Sequence, residues 1–114
     1  MTVYIAGPVS GMPRNNLPAF RGVADLLAQH GIDFVIPHDI YTSSASPCPA
    51  IIWVEAMLKC IPELERCDAV LFLAGWEMSA GCRREMQIAI ANKIKIFTLD
   101  GIEKLINNNG RRLA

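Results

Sequence analysis

The run AVLFLA (69–74) is the most apolar stretch of the chain, and it constrains the fold more than any other feature. A strand built from it has no polar side to turn toward water, so both faces must be covered, as in the centre of a parallel sheet. Other short runs repeat the pattern. VYIA (3–6) is β-branched and aromatic and is stopped by Gly7-Pro8, while DFVIP (33–37) and IKIFTL (94–99) read as further strands. Between them the period changes to that of helices. Phe20, Val23, Ala24 and Leu27 recur at helical spacing, with Asn16 as N-cap, Pro18 in the first turn and Gly31 as a stop. A second helix is predicted from about Ala50, with Ile51, Val54, Leu58 and Ile61 on one side and Pro62 kinking or breaking it. A third follows Gly81. A short segment around Ile102–Ile106 precedes a polar tail, NNNGRR, predicted to fray. Residues 38–49 lack periodicity and read as a long loop.

Alternating strand and helix units imply parallel pairing with right-handed crossovers. The predicted fold is therefore α/β and flavodoxin-like (Rossmann-like), a three-layer sandwich with a parallel sheet of four or five strands in the order 2-1-3-4. In that order the chain reverses between the first and third strands, and ligands bind at such a point, beyond the carboxyl ends of the strands. The loops that meet there are Gly7–Pro13 and Gly75–Gly81, both bearing glycine.

The 114 residues suit one domain, 1–114, and carry no internal repeat or linker. Eleven basic residues balance eleven acidic ones, which gives no electrostatic basis for binding a nucleic acid polymer or an acidic membrane. No apolar run approaches the ~20 residues that span a bilayer. MTVYIAGP shows no basic segment followed by a long apolar one, so a signal peptide is not expected and the protein is expected to be cytoplasmic. Cys48, Cys60, Cys67 and Cys82 lack C-x-x-C spacing and a nearby histidine pair, so they read as reduced thiols, with no metal or cofactor expected.

The chemistry concentrates in AGWEMSAGCRREMQIAIA (74–91). Ser79 can cap the helix that follows, or Ser79-Ala80-Gly81 can offer free N–H groups to a phosphate. Gly7, Ser10 and Gly11 of GPVSGM either form a tight turn or approach the same ligand from the other side. Glu85 stands out because its neighbours on a helix, Cys82, Ile88, Ala89 and Asn92, are mostly apolar. An acid there must be paired, hydrogen-bonded, neutral or functional. Pairing with Arg14 or Arg84 is one reading. The other is a carboxylate acting at an anomeric carbon, where it stabilises an oxocarbenium-like transition state by charge or by a covalent bond. His38 and Asp39 read as a solvated loop pair, Trp76 as a stacking or interface residue, Arg21 as solvated and Asp68 as a strand-entry residue.

YIAGPVSGMPRNNLPAF and CDAVLFLAGWEMSAGCRREMQIA together resemble a set of short phage and bacterial proteins classed as a domain of unknown function. These are similar to nucleoside 2-deoxyribosyltransferases and 2'-deoxynucleoside 5'-phosphate N-hydrolases. The resemblance implies cleavage or exchange of an N-glycosidic bond in a small nucleoside or nucleotide. It implies Glu85 as the nucleophile, Ser79 and Gly81 as phosphate- or sugar-contacting positions, and Tyr4, Gly7, Val9, Ser10 and Gly11 as lining the pocket. It also implies a homodimer or higher homo-oligomer. One position departs from the pattern. Those enzymes carry an aspartate about two turns before the acid that opens the third strand, and here that position falls at or near Cys60. Glu55, Glu63, Asp39 and Glu77 are the acids left to substitute. The alternative reading is a nucleotide-binding or sequestering protein with impaired catalysis. A purely structural module would leave Glu85 in a salt bridge.

Overall fold

The structure, a computed structural model, describes residues 1–41 and 46–113, the side chains of 108–113 excepted. The elements are β1 (Thr2–Ala6), α1 (Leu17–Gln29), β2 (Asp33–Val35), α2 (Pro37–Ile40), α3 (Pro49–Glu65), β3 (Ala69–Phe72), α4 (Ala80–Ala91), β4 (Lys95–Thr98) and α5 (Ile102–Leu113). Short 3-10 turns precede α1, α4 and α5. The four strands form one parallel sheet in the order β2-β1-β3-β4, as the alternation predicts. Every residue of β3 is buried, which is the outcome its unbroken apolar run demands.

The pleat sends alternate residues of β1 and β3 to opposite faces. Val3, Ile5, Ala69 and Leu71 pack with Phe20, Ala24 and Leu27 of α1 and Leu105 of α5. Tyr4, Ala6, Val70 and Phe72 pack with Cys60 and Leu64 of α3 and Cys82 and Ala89 of α4. Asp68 ties the strand starts together, since its carboxylate accepts from Thr2 N–H at 2.8 Å and its own N–H donates to the Thr2 carbonyl at 2.9 Å.

Several expectations need correction. Asn16 stands at the start of α1 in the left-handed region (φ 60°), and its side chain donates to the Pro8 carbonyl at 2.9 Å instead of capping the helix. The segment after β2 begins with the helical turn α2, initiated by Pro37, whereas residues 42–45 of the predicted loop lie outside the described residues. Pro62 does not break α3. The carbonyl it leaves unbonded belongs to Leu58, which is 70 % exposed, so water can satisfy it. The apolar stripe read along α3 is not the side that meets the sheet. Ile51, Val54 and Leu58 are exposed, and Cys60 and Leu64, about a third of a turn round the helix, are buried. The polar tail continues α5 to Leu113, because extending an anchored helix costs far less than starting one. Arg21, finally, is paired with Asp39 at 3.0 Å on the surface.

The two central strands converge closely where they end. A Cβ on Gly7 would lie 3.0 Å from Leu73 Cβ, so only glycine fits without displacement. Gly7→Ala is expected to destabilise the protein by about 1–3 kcal/mol in urea denaturation. A loss below a few tenths of a kcal/mol would contradict the close approach.

Candidate functional site

The site is built where β3 hands over to α4. Gly75 takes φ +86°, a turn that side chains resist, and the chain then makes one 3-10 turn through Trp76–Met78. Ser79 is extended, and its hydroxyl accepts from the Cys82 N–H at 3.3 Å, capping α4. The capped helix turns Cys82, Glu85 and Ala89 toward the sheet. Glu85 is only 4 % exposed and is the sole buried charged residue among those described.

Among the described residues no cation compensates it. Arg21 is paired with Asp39 and Arg66 with Glu63. Arg84 donates to Gln87, Arg83 to the Glu77 carbonyl, and Arg14 is exposed. The structural salt bridge considered for Glu85 is therefore not formed with either arginine. What surrounds the carboxyl is a phenol and two thiols. Tyr4 is fully buried, and its hydroxyl has no partner at full hydrogen-bond geometry, yet it stands close enough for Glu85 and Cys60 to act on it.

Burial in this packed cluster governs the protonation of each group. It pushes Glu85 up to about 7, with the Tyr4 hydroxyl pulling in the opposite direction. Tyr4 is raised well above its ordinary value, first by burial and then by the charges of Glu85 and Cys60. Cys60 is raised by burial, opposed by the Tyr4 hydroxyl, with Glu85 and Glu63 adding to the rise. Cys82 reaches about 11 by burial, opposed by the Ser79 hydroxyl and reinforced by Glu85, so it is a packing thiol and not a nucleophile. The result is one carboxyl poised between its two states at neutral pH and three neighbours held neutral. Such a carboxyl can act as nucleophile or as proton carrier.

The residues singled out by sequence divide in space. Tyr4 and Glu85 meet, and Ser79 joins them through Cys82. Gly81 lies against α3, where a Cβ would stand 3.4 Å from Met57 Cε and 3.6 Å from Trp53 Nε1. Gly7 packs on Leu73, and Val9 packs against the α1 side of the sheet, away from Glu85. Ser10 and Gly11 are exposed. Of the substitute acids, Glu63 is paired with Arg66 and Asp39 with Arg21, Glu77 is exposed, and Glu55 is half-buried on α3. Trp76 packs at 5.1 Å from the Phe72 ring, on the Tyr4 side. Trp53 and Met57 were missed as site neighbours. Their signal was the 53-57-60-64 spacing, masked by the more apolar stripe beside it. Among the described residues no group of histidine, cysteine and acid side chains could hold a metal ion, and no helix is long and apolar enough to cross a membrane.

The fold and strand order are those of the Rossmann-like deoxyribosyltransferases. A solved structure of this class, a 2-desoxiribosyltransferase from Leishmania mexicana, superposes with a TM-score of 0.65 at 26% sequence identity. The match covers 85% of this chain and 62% of that one, so the chain spans less than two thirds of the length of its structural relative. Residues 1–98 match a family described as Domain of unknown function (DUF4406), and the chain belongs to that family. Comparison with curated proteins gave no match.

Burial makes the protonated form of Glu85 the favoured one in the folded state. Its contribution is fully present below the ordinary value of 4.5 and is lost as pH rises through about 7, a difference of about 3 kcal/mol. Urea denaturation of the wild type and Glu85→Gln is expected to show the variant gaining most of that difference between pH 5 and pH 8. A gap independent of pH would contradict the buried, unpaired carboxyl.

Proposed function

We propose that the chain is a nucleoside or nucleotide N-glycosidase, or a deoxyribosyltransferase-like enzyme, in which Glu85 acts at the anomeric carbon. The observation that carries this reading is a buried carboxyl with no cation, one and a half turns into a helix at the switch point of the sheet. The similarity to a 2-desoxiribosyltransferase supports a nucleoside as the small-molecule partner. In this reading Tyr4 holds the carboxyl, the exposed Ser10 and Gly11 border the sugar, and Ser79 and Gly81 present the start of α4 to a phosphate or sugar. The ionised form of Glu85 attacks C1′ or stabilises its developing positive charge. The setting is the cytoplasm, with the thiols reduced.

A second reading is a nucleotide-binding protein with impaired catalysis. It is favoured by Cys60, a neutral thiol beside Glu85 where the resembled enzymes carry an aspartate. Base release from a panel of nucleosides and their 5'-monophosphates separates the two. The first reading expects turnover whose rate falls as pH drops below about 7 and falls about 10³-fold in Glu85→Gln. Calorimetric binding without turnover would favour the second. Turnover unchanged by Glu85→Gln would remove Glu85 from the chemistry.

The exposed apolar side of α3 supports self-association. Ile51, Val54 and Leu58 form an uncharged stripe, and a two-fold contact would lay it against its own copy. Leu58→Glu is expected to shift the mass in sedimentation equilibrium from oligomer to monomer, and a wild type already monomeric at high concentration would refute this.

A further inference from the structure

The buried space around Glu85 has a consequence for the kind of base that can leave. When the C1′–N bond of a neutral nucleoside breaks, the bonding electrons make the base an anion, which needs a proton from an acid titrating near the working pH. The groups beside Glu85 are a phenol and two thiols, all buried, with no second carboxyl, imidazole or ammonium among the described residues acting on it. Of the other acids on α3 and α2, Glu63 pairs with Arg66 and Asp39 with Arg21, and none of them, Glu55 and Glu65 included, acts on the Glu85 carboxyl. Residues 42–45, Thr-Ser-Ser-Ala, carry no such group in their sequence. Among the described residues no cation acts on the carboxyl, and a positively charged substrate would bring one. Trp53 brings its indole N–H edge to Gly81 at the start of α4, and Trp76 packs on Phe72 on the Tyr4 side of the sheet.

We propose that the site takes N-glycosides whose departing base already carries a positive charge, of the pyridinium or N7-alkylpurine type, in preference to neutral nucleosides. This rests on the glycosidase reading above and narrows its substrate class. In the first step a Glu85 oxygen bonds to C1′ as the C1′–N bond breaks, and the electron pair passes to the ring nitrogen. The nitrogen's charge is neutralised, so the base departs neutral without gaining a proton. In the second step water oxygen bonds to C1′ and the C1′–O bond to Glu85 breaks, returning its electrons to the carboxylate. The proton lost by the water goes to solvent. Tyr4, Cys60 and Cys82 keep their protons throughout, in accord with burial that pushes each of them further from acidity.

The full chain is incubated with nicotinamide riboside, its 5'-monophosphate and 7-methylguanosine, and in parallel with adenosine, guanosine, deoxyadenosine and their 5'-monophosphates. Base release above the spontaneous rate is followed by chromatography. The expected result is a kcat/KM at least about 10²-fold higher for the charged substrates, abolished in Glu85→Gln. Release confined to the pyridinium or to the alkylpurine arm identifies which source of the charge the site accepts. Equal or faster cleavage of neutral nucleosides overturns the proposal and leaves the glycosidase reading standing. Release from neither set overturns both. Cys60→Asp, which places an acid beside Glu85, is expected to raise neutral-base release about tenfold or more and so to narrow the preference for charged substrates. A folded Cys60→Asp protein with no gain on neutral substrates contradicts the missing acid as the cause, and the wild-type comparison decides the matter if that variant does not fold.

Discussion

A carboxyl group taken out of water without a cation costs several kcal/mol unless it gives up its charge, and Glu85 is such a group. The surrounding structure sets that condition from several directions. α4 turns Glu85 inward together with Cys82 and Ala89. β1 lays the whole Tyr4 side chain beneath it, and α3 closes the far side with Cys60. Packing that would otherwise be hydrocarbon thus holds a titratable group near the midpoint of its titration at neutral pH.

The sheet makes this arrangement possible. Because β1 and β3 are neighbours while their helices lie on opposite faces, the ends of the two central strands splay into the loops around Gly7 and Gly75. The close approach of Gly7 to Leu73 fixes that convergence, and the Ser79 cap fixes where α4 begins. Glu85 then falls one and a half turns in, too far from the helix start for its free N–H groups to neutralise it. Its protonation is left to burial and to the Tyr4 hydroxyl.

Much of this was legible in the sequence, and the rest was not for definable reasons. Strand identity and order followed from unbroken apolar runs alternating with helical periods, because a strand such as Ala69–Phe72 has few other places to go. Glu85 was visible because its helical neighbours at three and four residues are apolar. Its partner Tyr4 is 81 positions away, and no local period connects them; only the family resemblance put both at one site. The side of α3 was misread because the helix is apolar on two sides, and hydropathy alone cannot tell which one meets the sheet. Pro62 and the tail of α5 were misread because local breaker signals were weighed without the solvent and anchoring that tertiary structure supplies.

The central claim is that Glu85 is a buried acid with no cation beside it. Direct titration of its side-chain carboxyl by carbon-13 NMR, with the resonance assigned by its loss in Glu85→Gln, tests this without reference to any substrate. The account predicts a midpoint near 7. A midpoint at the ordinary value of about 4.5 would show a solvated or ion-paired carboxylate and would contradict it.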